Sequence, residues 1–418
     1  MSQYKWNSEN AALIKDHSLI KHQMYREYIR NYVLERAVLK QMDRISINIV
    51  DGFCGGGTYV TKDGAQTSGS PLVVLEALRD AEQLLNIGRI KPIQIDFRLY
   101  CFDNDAEALE SLRRSISNSE YQKYLDTNIV IKKANFSQEI PKIIERLQHE
   151  RGRAIFILDQ YGYNAVSFDS MSRIFRELPS PEVILTFSYG FLNSFLSEYG
   201  KLSKAFEGIG LEAPPRDEFD RAQWEPNGRP FFIQRQLIKG FRAAAPFFTP
   251  FFIKSRDSGP LRGSNLSYWL VHLAAHERAN DVMKQTHWDL QNHSAHFGGP
   301  GLEMLGYDPH RVEQSKQPFM FGDDERALSH KALLDDIPRT MRPANDWMRV
   351  GDLWKATCNE TPSTSEMQRE ALAALSNYSE VEILGAGGGA KRGGKVDRTD
   401  LIRMPPQTSF FFMKRPAA

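Results

Sequence analysis

Three aspartates each close an apolar run in this sequence: Asp51 follows Ser46–Val50, Asp103 follows Phe97–Phe102, and Asp159 follows Arg153–Leu158. Asp51 opens Asp-Gly-Phe-Cys-Gly-Gly-Gly, in which Phe53, Gly55 and Gly57 alternate behind the acid. A β-branched run that breaks into glycines predicts a strand ending in a tight loop, because glycine accepts positive φ and lets backbone N–H groups approach a ligand. Val60 stands where a nicotinamide fingerprint wants a third glycine. A carboxylate at the tip of the second strand offers two acceptor oxygens, enough for both ribose hydroxyls of a nucleoside. That makes Asp103 and the adjacent Asn104 ligand-binding candidates, with Asp105 placed to cap the following helix. Asn135, after the third strand, can donate and accept at an adenine edge, or simply make a turn. The stretch Asp159-Gln160-Tyr161-Gly162-Tyr163-Asn164 sets an acid beside aromatic rings. Asp159 and Tyr161 suit a base carrying an amino group: the ring stacks on the base, the acid accepts from the amine, and positioning dominates. The plainer alternative is a strand end with aromatic packing.

These residues need a scaffold. Ser46–Val50, Phe97–Phe102, Asn128–Lys132, Arg153–Leu158 and Val183–Ser188 alternate with helical stretches, which predicts a doubly wound, mostly parallel sheet. Ligands of such sheets lie outside the carboxyl ends of the strands. An amphipathic helix over about 17–41 carries Ile20, Met24, Tyr28, Ile29, Tyr32 and Val33 at helical spacing. It either packs on the sheet or walls the ligand pocket, and in the second role Lys21 and Tyr25 are its candidates. Ser70 followed by Pro71 reads as an N-cap with proline at the first helical position. The pattern dissolves over about 200–230, which predicts an insertion on the active-site side. Phe251–Ser255 and Tyr268–Ala274 read as a terminal antiparallel hairpin, and Ala279–Leu290 as a closing helix.

Composition changes further on. Helices are expected over 324–341 and 350–357, and a third starts at a Ser363-to-Glu366 capping box. Val381–Leu384 and Leu401–Met404 then flank a glycine-rich, basic tip, which makes a winged helix-turn-helix. Arg369, Lys391, Arg392, Lys395 and Arg398 are the candidates for phosphate contacts, while a protein partner is the competing use of the same module. The expected division is 1–295, a linker over 296–322, and 323–418.

The 418 residues carry a formal net charge of +1, so nucleic-acid binding would need a local patch. Three cysteines without a Cys-x-x-Cys pair fit a reducing cytoplasm rather than a disulfide framework or zinc ribbon. His287, His293 and His296 fit no zinc spacing, and no metal is expected. No stretch reads as a signal peptide or a membrane span.

The Asp-x-Phe-x-Gly-x-Gly spacing of Asp51 to Gly57 resembles the first motif of S-adenosyl-L-methionine-dependent methyltransferases. With the helix Lys21–Tyr32, Gly69-Ser70-Pro71-Leu72 and Asp159–Tyr163, the chain resembles the bacterial three-Cys-motif partner proteins. The resemblance implies a Rossmann-like class I methyltransferase fold followed by a winged helix, with S-adenosyl-L-methionine as cofactor. It also implies a protein partner encoded nearby. Lys21, Tyr25, Asp51, Phe53, Gly55, Gly57, Asp103, Asn104, Asn135 and Asp159 would line the cofactor site. Gln160 departs from the pattern, which has proline after the acid. Two functions stay open: methylation of an exocyclic amine of a nucleic-acid base, or a cofactor-binding regulator with catalysis lost.

Overall fold

The computed structural model describes residues 6, 11–37, 42–193, 198–224, 228–253, 268–291, 293–296, 298–305, 319–342, 346–391 and 394–406. They form two compact units, one of 1–298 with 307–322 and one of 299–306 with 323–418.

In the first unit β1 (Ala12–Leu13) precedes the long helix α1 (Asp16–Arg36). β2 (Arg44–Asp51), β3 (Thr58–Val60), β4 (Gln66–Ser68) and α2 (Ser70–Asn86) follow. Next come β5 (Gln94–Asp103), α3 (Ala106–Ser117), β6 (Ile129–Lys133), α4 (Phe136–Gln148), β7 (Arg153–Leu158), α5 (Phe168–Glu177) and β8 (Glu182–Phe187). α6 (Tyr189–Asn193), α7 (Tyr199–Gly208), α8 (Arg216–Trp224) and α9 (Gly228–Ala244) separate β8 from β9 (Phe247–Ile253). β10 (Trp269–Ala274), α10 (Glu277–Leu290), β11 (Ser294–His296) and β12 (Phe319–Met320) complete it.

The main sheet runs β12-β11-β9-β10-β8-β7-β2-β5-β6. β6, β5, β2, β7 and β8 are parallel, and β10 lies antiparallel between β8 and β9. The path steps outward from β2 to β5 and β6, then returns to β7 and β8. With right-handed crossovers, the connecting helices before and after that reversal fall on opposite faces. α1 accordingly packs with α2 and α10, and α5 with α4 and α9. Burial on both faces explains why the central strands are nearly pure hydrophobe: Ile49, Val50, Ile155, Phe156, Ile157 and Leu158 are all fully buried. This strand order with its reversed hairpin is the class I methyltransferase fold.

Several expectations need correction. The region 200–230 is not patternless: α7 and α8 bury Leu202, Ala205, Phe206, Phe219 and Ala222. The expected linker over 296–322 begins and ends inside the sheet, where β11 pairs with β9 and with β12. Ser70 is not the cap; Gly69 is, and Ser70 is the first, buried residue of α2. β9 starts at Phe247 and contains Pro250, which β11 leaves alone by pairing only with Phe252 and Ile253. The polar stretch 61–68 belongs to a small second sheet in which β1 pairs with β3 and β3 with β4.

The second unit holds α11 (Asp323–Met341), β13 (Met348–Arg349), α12 (Val350–Thr357) and α13 (Ser365–Asn377). β14 (Glu382–Leu384), β15 (Ala390–Lys391) and β16 (Leu401–Arg403) complete a sheet of order β13-β16-β14-β15. Leu333, Ile337, Trp354, Met367, Leu372, Ile383 and Ile402 are buried in it. This is a winged helix-turn-helix. Thr364, not Ser363, caps α13, accepting the Met367 amide at 3.3 Å. β14 takes β15 as its hairpin partner as well as the expected β16.

Candidate active site

Register places the three acids on one edge. Asp51 lies opposite Cys101 of β5 and Ile157 of β7, so Asp103 and Asp159 each follow within two residues on the flanking strands. The loop after β2 is tied into this edge: the Gly52 amide donates to Ile157, and the Cys54 amide to Phe102. Gly55 has φ +59°, and its amide donates to Asp103 Oδ2 at 3.0 Å. Gly57 has φ +81°, and a Cβ there would lie 2.8 Å from Leu112 of α3. Both positions require glycine, one to aim its N–H at an acid and the other to let a helix approach. Asp103 Oδ1 accepts the Asp105 amide at 2.9 Å, and burial pushes its carboxyl above the ordinary range despite these bonds. Each oxygen keeps one further lone pair for a ligand hydroxyl.

Asp51 is fully buried. Its Oδ1 accepts the Phe53 amide at 3.2 Å, and burial pushes its carboxyl up to about 7. Phe53 packs edge-on against Phe136 with ring centroids 6.0 Å apart.

α1 lies over the same edge. Lys21 Nζ sits 2.5 Å from Asp159 Oδ1 and 2.6 Å from Oδ2. Burial works to raise the Asp159 carboxyl, but the Lys21 ammonium outweighs it and holds the carboxyl below its ordinary range. His22 lies one residue on, between the rings of Tyr25 and Tyr59, and burial lowers its imidazole to about 4. Burial also raises the Tyr25 phenol well above its ordinary range. Polar groups are concentrated in the interior of this edge: the Thr186 hydroxyl lies within reach of both Tyr25 and Asp159, and Ser70 within reach of Asp51.

Gln160 supplies the rigidity of the loop after β7. It is 2% exposed, and its Oε1 accepts the Val166 amide at 3.0 Å. The Gly162 carbonyl accepts the Ser188 amide at 3.0 Å, and Gly162 has φ +98°. The loop is therefore held by hydrogen bonds at two points, without a pyrrolidine ring. Tyr161 projects from it, 59% exposed.

The structure thus brings Lys21, Tyr25, Asp51, Phe53, Gly55, Gly57, Asp103 and Asp159 to one edge. Asn104 and Asn135 are exposed near it. Asn135 is occupied as the N-cap of α4, accepting from the amide and hydroxyl of Ser137, just as Asp105 caps α3. Sequence reasoning did not find Thr186, Ser188 or His22, which have no local motif. Among the described residues, no group of three or more His, Cys, Asp or Glu is arranged to hold a metal ion. No described helix is long and apolar enough to cross a membrane.

On the wing, Lys391 Nζ is bound to Asp400 at 2.8 Å and to Asp397 at 3.2 Å, and the Asp400 hydrogen bond raises its pKa. Arg369 Nε donates to the Ser365 carbonyl of its own helix. Lys395 is exposed and Arg398 half-buried, and Arg392 lies outside the described residues.

Residues 306–388 match the family model of the GMT-like wHTH domain. No curated protein matches the chain. Among solved structures, protein LPL1258 of Legionella pneumophila, assigned to the family model DUF519, is 9% identical over 64% of this chain and 86% of that one, with a TM-score of 0.35. A putative rRNA-methylase of Clostridium thermocellum is 11% identical over 62% and 97%, at 0.28. Geranyl diphosphate C-methyltransferase of Streptomyces coelicolor, bound to Mg2+, geranyl diphosphate and S-adenosyl-L-homocysteine, is 10% identical over 59% and 76%, at 0.24. Likeness at that level carries no weight for activity, and the fold rests on strand order. The chain joins a class I methyltransferase fold to a C-terminal region similar to the GMT-like winged helix-turn-helix domain.

Proposed function

We propose that the chain is an S-adenosyl-L-methionine-dependent methyltransferase of the three-Cys-motif partner type, acting on an exocyclic amine of a nucleic-acid base. The observation that carries this is the spacing of two carboxylates at the ends of β5 and β7, the strands that flank β2. Asp103, clasped to the Gly55 amide, has acceptor capacity for ribose hydroxyls, and Asp159 stands two strands away beside the exposed Tyr161. The donor set fits the cofactor. Asp103 takes the ribose, the backbone at Gly55 and Gly57 admits the ligand closely, and the buried Tyr25 and Thr186 hydroxyls add polar groups to the same edge.

Bound S-adenosyl-L-methionine supplies a sulfonium methyl group. Tyr161 stacks on the target base, and Asp159 accepts a hydrogen bond from its amine and so turns the nitrogen lone pair toward the donor. Gln160 keeps the loop that carries both in place, and little base strength is needed because the leaving group is good. The winged helix binds nucleic acid or a partner protein, with exposed Lys395 the best placed of its cations for phosphate.

One observation favours a cofactor-binding regulator instead: both oxygens of Asp159 are engaged by Lys21. The decisive experiment is calorimetric titration of the purified chain with S-adenosyl-L-methionine, repeated on Asp103→Ala. Transfer of labelled methyl to tRNA, rRNA and DNA by the wild type and Asp159→Ala follows. Binding lost in Asp103→Ala, with transfer lost in Asp159→Ala while binding persists, is the expected result. Absence of binding to the wild type refutes both functions; binding without transfer to any acceptor leaves the regulator.

A further inference from the structure

The Lys21 side chain is 6% exposed and that of Asp159 21% exposed. The ammonium therefore grips the carboxylate from the protein interior, and what Asp159 presents to solvent is its outer flank. We propose that Lys21 is a positioning residue that neutralises Asp159 and fixes its plane, so that the site admits a neutral aromatic amine and refuses an alkylammonium. This assignment of substrate class rests on Asp159 receiving the target amine.

Charge decides between the two amines. A lone carboxylate in a cleft attracts a cation, since pairing offsets the cost of taking both charges out of water. Here Lys21 already supplies that charge at 2.5 Å and 2.6 Å. A second ammonium on the same carboxylate would meet the like charge of Lys21 with little net attraction left. A neutral aryl amine needs only one acceptor lone pair, and the carboxylate retains one after its bonds to Lys21 and Thr186. The attacking nitrogen of such an amine is also uncharged in neutral water, so Asp159 has no proton to remove before transfer; as the N–C bond forms the methyl–sulfur bond would break, and the proton then shed by the nitrogen would pass to solvent.

The other titratable groups around Asp159 do not change this balance. From α1, burial lowers His17 and His22 to about 4, so both imidazoles are neutral, and burial keeps the Tyr25 phenol protonated. Tyr268, ahead of β10, is raised by burial and is also neutral. Asp51, at the end of β2, is raised by burial to about 7 and adds at most part of a negative charge. Among these neighbours Lys21 is the cation that holds Asp159.

Carboxyl-carbon NMR on the full chain, with aspartates labelled and Asp159 assigned through Asp159→Asn, tests the proposal. Wild-type Asp159 should titrate below the usual carboxylate range. Lys21→Met should raise its midpoint by about 1–3 pH units, and Lys21→Arg should restore it. Propylammonium chloride, a probe of alkylamine chemistry, should leave the wild-type signal in place. If Lys21→Met does not fold, Lys21→Gln against Lys21→Arg makes the same comparison. An unmoved Asp159 midpoint in a folded variant, or a wild-type signal that propylammonium shifts, overturns the proposal. So does an S-adenosyl-L-homocysteine affinity about tenfold weaker in Lys21→Met with the carboxyl unmoved, which would make Lys21 a cofactor ligand. None of these readouts needs turnover, so failure of methyl transfer on every nucleic acid would refute the proposed function separately.

Discussion

Gly57→Ala, compared with Gly64→Ala, isolates the packing demand of the glycine loop. The two glycines have nearly the same backbone, with φ +81° and +85°. An L side chain in that left-handed region costs about 1–2 kcal/mol in either place. Only the surroundings differ. A Cβ at Gly57 would lie 2.8 Å from Leu112 Cδ1, 3.2 Å from the Leu112 backbone and 3.2 Å from Ser115, whereas one at Gly64 meets nothing within 4 Å. Leu112 is fully buried in α3 and cannot swing aside, so crowding adds about 1–3 kcal/mol at Gly57. The expected losses are about 2–5 kcal/mol for Gly57→Ala and about 1–2 kcal/mol for Gly64→Ala. At about 2–4 °C per kcal/mol for a unit of this size, scanning calorimetry should separate the two midpoints clearly. Cofactor titration supplies a second readout: Gly64→Ala should bind as the wild type does, and Gly57→Ala should bind more weakly because the loop shifts. Equal losses of stability in the two variants, with unchanged binding in both, would refute the close approach of α3 to this loop.

Three further outcomes follow from the buried polar groups. Tyr28 donates to Glu182 and meets His272 Nε2 at 2.9 Å, all three buried at the amino end of β8, so Tyr28→Phe should cost about 1–3 kcal/mol in urea titration and leave cofactor affinity unchanged. Burial lowers His287 and His296 to about 3, so below the unfolded value near 6.5 the unfolded chain binds more protons, and stability should fall as pH drops from about 6.5 to 3. Asp51 has the opposite sign, since a carboxyl raised to about 7 loses stability as pH rises toward that value. His296→Phe should therefore move acid unfolding of the first unit to lower pH, read by near-UV circular dichroism. In the second unit, Asp400 accepts from Lys391 and from the Asp397 amide while 1% exposed, so Asp400→Ala should lower the melting midpoint of that unit alone, with about 1–3 kcal/mol of lost stability.

The parallel strands were legible because a strand buried on both faces must be written almost wholly in hydrophobes, and the acids that end them stood out against that background. What escaped was written in weaker signals. α7 and α8 bury only a narrow stripe each, between Pro214-Pro215 and mixed charges, and their periodicity drowns in polar residues. β11 and β12 have three and two residues, too short for alternation to register, and what recruits them is the aromatic cluster of Phe251, His296, Phe319 and Phe321. The Lys21–Asp159 pair joins residues 138 apart, and nothing near either one announces the other. Gln160 illustrates the same limit: its departure from proline was visible, but the hydrogen bond it accepts from the Val166 amide was not.

Charge pairing on the wing separates cations that residue type alone treats alike. Lys391 reads as a phosphate contact when counted with its basic neighbours, yet its ammonium is spent on Asp400 and Asp397 within the same hairpin. Arg403 is held likewise by Glu382 and lies over the Trp347 ring, and Arg326 faces Glu370 at 3.8 Å. A cation already paired inside its unit releases few counterions when phosphate approaches, so it adds little to affinity or to its salt dependence. Charge reversal at Lys395 should therefore reduce the salt slope of nucleic-acid binding by about one, while reversal at Lys391 should act through the stability of the wing. If the two substitutions change the slope equally with both proteins folded, Lys391 leaves its carboxylates to meet phosphate, and the internal pairing is only the resting arrangement of the wing.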